Sequence, residues 1–320
     1  MAMEIERVGE LTNGTGTTLA VGPDGNITVA AGNGRAAIWV GNEHAHAVAL
    51  AGYTAGPVAF SADGKTARIG DWTVDVSTGA ATPSAVDIDL LTSGIDFAER
   101  APARFYSPRA AAQIGDASRL VSSFVFAPSR GIGDDVANVG PDGQVALFDP
   151  GSARLVAVLE GISDRPHDRA LAIDARHVVA AGSAIHAWSS NDGSAVGQDA
   201  TDAPMRSDVR ISPDGTLLAA SRVDGSAELR SFADFGSARI WTAHSKRATA
   251  VAFHPTLPLL ATGGEDQQVK VWSIGAGAPE LMGWFWVERD VKAIAFHTYG
   301  EHLLIAAGPE VIVTELSGLH

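Results

Sequence analysis

The chain of 320 residues contains no cysteine. That excludes disulfides, cysteine-ligated zinc and cysteine nucleophiles. Charge is also scarce, at 19% of residues, and its balance is acidic, with a net charge of −14. Binding to nucleic acid or to an anionic membrane needs a basic footprint, so neither is an expected partner. No stretch approaches the roughly 18 consecutive apolar residues of a transmembrane helix. The start, MAMEIERVGE, has no apolar core of the kind a signal peptide carries. A cytoplasmic location is the expectation, although the lack of cysteine does not itself fix the compartment. Motifs of the GxSxG, HExxH, P-loop and GxGxxG types are all missing. Helical periodicity is nearly absent too. The one candidate, around 98–114, is interrupted by Pro102 and Pro108.

What the sequence does hold is a β pattern. Short apolar runs are separated by turn signals, and glycine is abundant, with 35 residues. Pro-Asp-Gly occurs at 23–25, 141–143 and 213–215, and Ala-Asp-Gly at 62–64. Each follows an apolar run such as Leu19–Val21, Val58–Phe60 or Val209–Ile211. Such a turn between two apolar runs predicts a hairpin, because glycine supplies the positive φ. Runs such as AVAF and LLAT are too short for helices.

A repeat emerges from seven segments: AAIWV, WTVDV, VALFD, IHAWS, AELRS, VKVWS and VIVTE. Their fourth residues are Trp39, Asp75, Phe148, Trp188, Arg230, Trp272 and Thr314, and from Phe148 onward they recur every 40 to 42 residues. That is the length of one four-stranded unit. The sharpest unit is HSKRATAVAFHPTLPLLATGGEDQQVKVW, residues 244–272. In it His244, Thr262, Asp266 and Trp272 stand at the spacing of the WD40 pattern. The chain resembles the WD40-repeat β-propellers, strongly over 165–316 and weakly before that. The resemblance implies that these four side chains form one buried hydrogen-bonded chain. Only this unit carries the full set. The Ala/Gly-rich, Lys-poor composition is that expected of a GC-rich bacterial genome.

The expected fold is all-β, a single seven-bladed β-propeller over 1–320. The last unit provides three strands (292–297, 302–308, 311–316), and the spare N-terminal segment 3–9 would close it. The sixth unit would have strands at 248–254, 259–264, 269–274 and 280–286. The 73-residue gap between Asp75 and Phe148 predicts an insertion around 80–118 and a long loop around 128–135.

Candidate sites are few. His44 and His46 share a strand face, but two ligands fall short of a zinc site. His254 and His297 recur just after the first strand of successive units and suit turns. Asp87 and Asp89 lack the pattern of a calcium loop. No metal or cofactor is implied. Trp284 and Trp286 lie on one face of an outer strand, and fit either a partner anchor or packing between units. The loops entering each first strand read GISDRPHDR (161–169), DAPMRSD (202–208), HSKRAT (244–249) and VERDVK (287–292). They carry Arg165, Arg206, Lys246, Arg247, Arg289 and Lys292. The resemblance places these loops on one mouth of the ring, relatively positive on an acidic body. Arginine there suits carboxylates. Two functions stay open: a non-catalytic scaffold, monomeric alone, that binds a protein or peptide with acidic groups at this mouth, or a lactonase-like propeller hydrolase with a central-channel site.

Overall fold

The computed structural model describes residues 5–10, 18–22, 26–32, 34–41, 43–51, 58–61, 63–69, 72–83, 102–105, 110–114, 117–126, 143–149, 154–159, 170–199, 203–297 and 299–316. They contain strands and turns and no helix. A lone strand, β1 (Ile5–Glu10), precedes sheet I: β2 (Thr18–Val21), β3 (Ile27–Gly32), β4 (Arg35–Val40) and β5 (Glu43–Ala49). Sheet II holds β6 (Val58–Phe60), β7 (Thr66–Ile69), β8 (Trp72–Asp75) and β9 (Ala81–Pro83). Sheet III holds β10 (Pro102–Phe105), β11 (Ala110–Ile114), β12 (Ala117–Phe126), β13 (Gly143–Asp149) and β14 (Arg154–Leu159). Sheet IV comprises β15 (Leu171–Ile173), β16 (His177–Ala181), β17 (Ile185–Ser189) and β18 (Ala195–Asp199). Sheet V comprises β19 (Arg206–Ile211), β20 (Leu217–Arg222), β21 (Ser226–Ser231) and β22 (Asp234–Thr242). Sheet VI comprises β23 (Ala248–Phe253), β24 (Leu259–Gly264), β25 (Gln268–Ser273) and β26 (Glu280–Trp286). Sheet VII comprises β27 (Val291–Phe296), β28 (His302–Ala307) and β29 (Glu310–Glu315). Strand β1 pairs antiparallel with β29, with Ile5 opposite Thr314 and Glu10 opposite Glu310. Neighbouring strands within each sheet run antiparallel.

The first strands of successive sheets lie side by side. β6 touches β11, β11 touches β15, and the series continues through β19, β23 and β27 to β2, which touches β6. Among the described residues, apolar clusters join six of the pairs of adjacent sheets. Val29, Ile38, Ile69 and Val74 join I to II, and Leu159 and Trp188 join III to IV. Ile185 and Leu218 join IV to V; Leu229, Leu260 and Trp272 join V to VI. Val271, Phe285, Val291 and Ile305 join VI to VII, while Trp39, Leu304 and Val311 join VII to I. A sheet with neighbours on both faces buries consecutive residues, which explains apolar runs such as Leu259–Gly264, buried at all six positions. The seven repeat segments all fall on third strands or, in VII, on β29.

Turn chemistry follows the sequence at two of the Asp-Gly signals. Ser61 Oγ donates to Asp63 at 2.8 Å and Ser212 Oγ to Asp214 at 2.6 Å, and Gly64 and Gly215 take φ of 68° and 66°. Hydrogen bonds from Ser212 and Thr216 hold the Asp214 carboxyl below the usual carboxylate range. The signals at 23–25 and 141–143 fall on or border residues outside the described ones.

Between sheets II and III the structure departs from the sequence reading. Within the proline-interrupted stretch 98–114, the described residues form strands β10 and β11, each pairing with β12. Pro102 begins a strand, where its missing N–H removes the least. Ala81–Pro83 is the outer strand of sheet II, and β11 is the strand of sheet III that meets its neighbours. The expected loop at 128–135 lies outside the described residues, as do Asp87 and Asp89.

Candidate functional site

His244 sits between sheets V and VI, its backbone N–H bonded to the Gly225 carbonyl at 2.8 Å. Its Nδ1 lies 2.8 Å from Asp266 Oδ1, and its Nε2 lies 2.9 Å from Thr262 Oγ1. Trp272 Nε1 donates to the same Thr262 oxygen at 2.9 Å. One assignment of protons gives every donor an acceptor. The indole N–H donates to Thr262, the Thr262 hydroxyl donates to Nε2, and Nδ1–H donates to the Asp266 carboxylate. Burial pushes the His244 pKa below its ordinary value, against the pull of Asp266, so the ring is neutral near pH 7. For Asp266 burial acts upward, but the Ser245 N–H and His244 outweigh it and hold the carboxyl below its usual value. The chain is packed without slack. A Cβ on Gly264 would lie 2.7 Å from both Asp266 Oδ1 and the His244 ring.

Sheet V builds the same place with different chemistry. On β21, Glu228 and Arg230 alternate with Ala227 and Leu229, so the apolar pair faces sheet VI and the charged pair faces sheet IV. Arg230 occupies the position of Trp272, and donates to Asp199 of sheet IV and to the Phe235 carbonyl. Arg206 grips Glu228 with two prongs, Nε–Oε1 at 3.0 Å and Nη2–Oε2 at 3.2 Å, and its Nη1 donates to the Ser183 carbonyl of sheet IV. Arg222 Nη1 lies 3.7 Å from Glu228. This overturns the placement of Arg206 among the partner-binding residues, because its side chain is 0% exposed. A guanidinium can be buried there because a carboxylate on β21 meets it. The sequence showed the arginine in an entry segment but not the partner 22 positions on.

The other entry-segment cations fall into two groups. Lys246 is exposed, whereas Arg247 is half-buried with Nε bonded to Ser207 Oγ at 3.0 Å. Arg289 is exposed and its stem covers Gly308; Lys292 lies 3.7 Å from Asp290. Arg165 is outside the described residues. The starts of the first strands are tied together. Val251 N–H donates to Asp208 Oδ2 at 3.1 Å, and Thr249 Oγ1 donates to the Val291 carbonyl at 2.6 Å. The segments 243–247 and 287–290 therefore emerge on the same side, beside the β20–β21 turn, whose Gly225 approaches the carbonyls of His244 and Lys246.

The remaining candidates resolve individually. His254 Nδ1 accepts the N–H groups of Thr256 and Leu257 at 3.1 and 2.9 Å, and His297 Nδ1 lies 3.5 Å from the Tyr299 N–H, so both serve turns. His46 Nε2 lies 2.8 Å from the Ser77 carbonyl. Trp284 and Trp286 are exposed, at 48% and 56%, and touch each other edge to face. Among the described residues no three His, Asp or Glu side chains are grouped to hold a metal.

Comparison with known proteins gives three results. Residues 236–273 match the family model described as "WD domain, G-beta repeat". The chain is 31% identical over 104 residues to "Activating molecule in BECN1-regulated autophagy protein 1B" of Danio rerio, covering 32% of this chain and 7% of that protein. It is 37% identical over 65 residues to "Protein SUPPRESSOR OF PHYA-105 1" of Arabidopsis thaliana, covering 20% and 6%. The chain thus spans less than a tenth of the length of these relatives. Among solved structures, "Structure of U3-55K" superposes with a TM-score of 0.69 at 16% identity over 98% of both chains, a likeness of fold.

Proposed function

We propose that this WD40-repeat chain is a non-catalytic interaction module, a seven-bladed propeller closed by β1 that docks a protein or peptide on the face where its first strands begin. The observation that supports the reading is the side-by-side series of first strands, entered by the connections that bear Lys246, Arg247 and Arg289 and, at the start of β27, by Lys292. The seven sheets and the β1–β29 pairing, which gives sheet VII its fourth strand, support the reading of a closed ring. WD40 propellers bind protein partners, and a cationic rim on a chain of net charge −14 would orient a partner with acidic groups toward this mouth. In this reading the module works as a monomer in the cytoplasm and needs no cofactor. No described residue favours the hydrolase alternative.

The test is affinity capture from the native source with wild-type chain and with Lys246→Glu/Arg289→Glu, alongside an esterase and lactonase screen. The reading expects co-purifying protein that weakens with salt and is lost from the variant at unchanged Tm, with no turnover. Capture insensitive to the two substitutions would move the site elsewhere, and measurable hydrolysis would refute the non-catalytic assignment.

A further inference from the structure

The outer strand of sheet VI is built differently from a protected edge. After Glu280, β26 reads LMGWFW and carries no charge. Its outward edge pairs with no strand among the described residues. Edge strands are ordinarily guarded by charge, proline or a bulge, since free N–H and C=O groups template another strand. Here the bulge lies near the start of β26, opposite Val271 and Trp272, and leaves 283–286 in regular register. Met282, Trp284 and Trp286 are each about half exposed, at 48%, 48% and 56%.

The register fixes the direction of the two indoles. Trp284 is opposite Lys270 and Trp286 opposite Gln268, so both share the Lys270 face of the sheet. That face looks toward sheet V. Lys270 Nζ donates to the Ala243 carbonyl at 2.5 Å, just past β22, and Trp272, two residues along, meets Trp241 edge to face. Arg239 reaches back from β22 and donates to the Gly277 carbonyl of the β25–β26 connection at 2.6 Å. The facing outer rims of sheets V and VI thus each carry tryptophan and a cation, and we refer to the strip between them as a valley. Both cations bond backbone carbonyls, and neither forms an ion pair among the described residues.

We propose that this valley is a second docking surface, and that its occupant is an extended, acidic segment of a partner protein. Such a segment would add to the free edge of β26, set apolar side chains over Trp284 and Trp286, and bring carboxylates to Arg239 and Lys270. Each feature matches one property of the site. The open edge calls for main-chain groups in an extended strand, the half-exposed indoles call for apolar side chains, and two cations held by neutral carbonyls call for negative charge. A second copy of the chain fits poorly, because it brings a net −14 against −14. Two cations are too small a footprint for a polynucleotide. The site is distinct from the mouth that carries Lys246 and Arg289.

The experiment is selection of a displayed random-peptide library on the full chain, followed by titration of the enriched peptides by tryptophan fluorescence. The expected peptides interleave Asp or Glu with aromatic or aliphatic residues. Their affinity should fall about tenfold or more in Trp284→Ser/Trp286→Ser and also in Arg239→Glu. It should be unchanged in Lys246→Glu/Arg289→Glu, with all variants keeping the wild-type Tm. The proposal is overturned if no peptide enriches, if the enriched peptides lack acidic residues, or if they bind the tryptophan variant normally. It is also overturned if light scattering finds a wild-type dimer that the tryptophan substitutions make monomeric, which would give the strand to a second copy.

Discussion

Arg206 and Glu228 form a two-pronged ion pair at 3.0 and 3.2 Å, with side chains 0% and 1% exposed, at the junction of sheets IV and V. Such a pair adds little over well-packed apolar residues, but removal of one member strands the other charge in the interior. Glu228→Leu should therefore cost about 3–5 kcal/mol in denaturant unfolding. Arg206→Met/Glu228→Leu should recover much of that loss. A single variant as stable as the wild type would mean the network contributes nothing.

The indole of Trp272 is buried and hydrogen-bonded, while that of Trp286 is 56% exposed. Trp272→Ala leaves a cavity between sheets V and VI and removes the donor to Thr262. The expected loss is about 3–5 kcal/mol. Trp286→Ala should stay within roughly 0.5 kcal/mol of wild type, as surface changes do. Equal losses in chemical denaturation would contradict the exposure of Trp286.

Acid should destabilise the fold in two stages. His244 and His254 both have folded pKa values lowered, chiefly by burial. Between those values and the unfolded imidazole pKa of about 6.5, the unfolded chain binds more protons, so stability falls as pH falls through that window. Asp266, also lowered, adds a further loss below about pH 4, where unfolded carboxyls protonate. Tm measured from pH 7.5 downward should drop first near pH 6. In His244→Gln the curve should start lower and fall less steeply, and an unaltered slope would remove His244 as a source of the effect.

Strand β1 is the partner of β29 over Ile5–Glu10. Deletion of residues 1–10 should leave β29 as an exposed edge of sheet VII, lower the Tm and promote aggregation. Scanning calorimetry with light scattering reads both. A truncated chain that melts with the full-length one and stays dispersed would show that β1 adds nothing to sheet VII.

The sequence by itself determined the elements of the later units. The recurrence from Phe148 through Trp188, Arg230 and Trp272 located the third strands, and the expected strands of the sixth unit lie within a residue of β23 to β26. The spacing of His244, Thr262, Asp266 and Trp272 identified four side chains that the fold joins by hydrogen bonds. Strand period, turn residues and a fixed repeat length are local properties, so they are written along the chain. Tertiary structure decided what each charged or aromatic side chain does. Arg206 and Lys246 stand in equivalent entry segments, yet one is wholly buried and the other exposed. The difference is Glu228, which the pairing within sheet V and the approach of sheet IV bring to Arg206. Trp272 and Trp286 are likewise only 14 positions apart on adjacent strands of one sheet. The neighbouring sheet V covers the first and stops short of the second, because burial depends on what packs against a strand and not on the strand's own sequence.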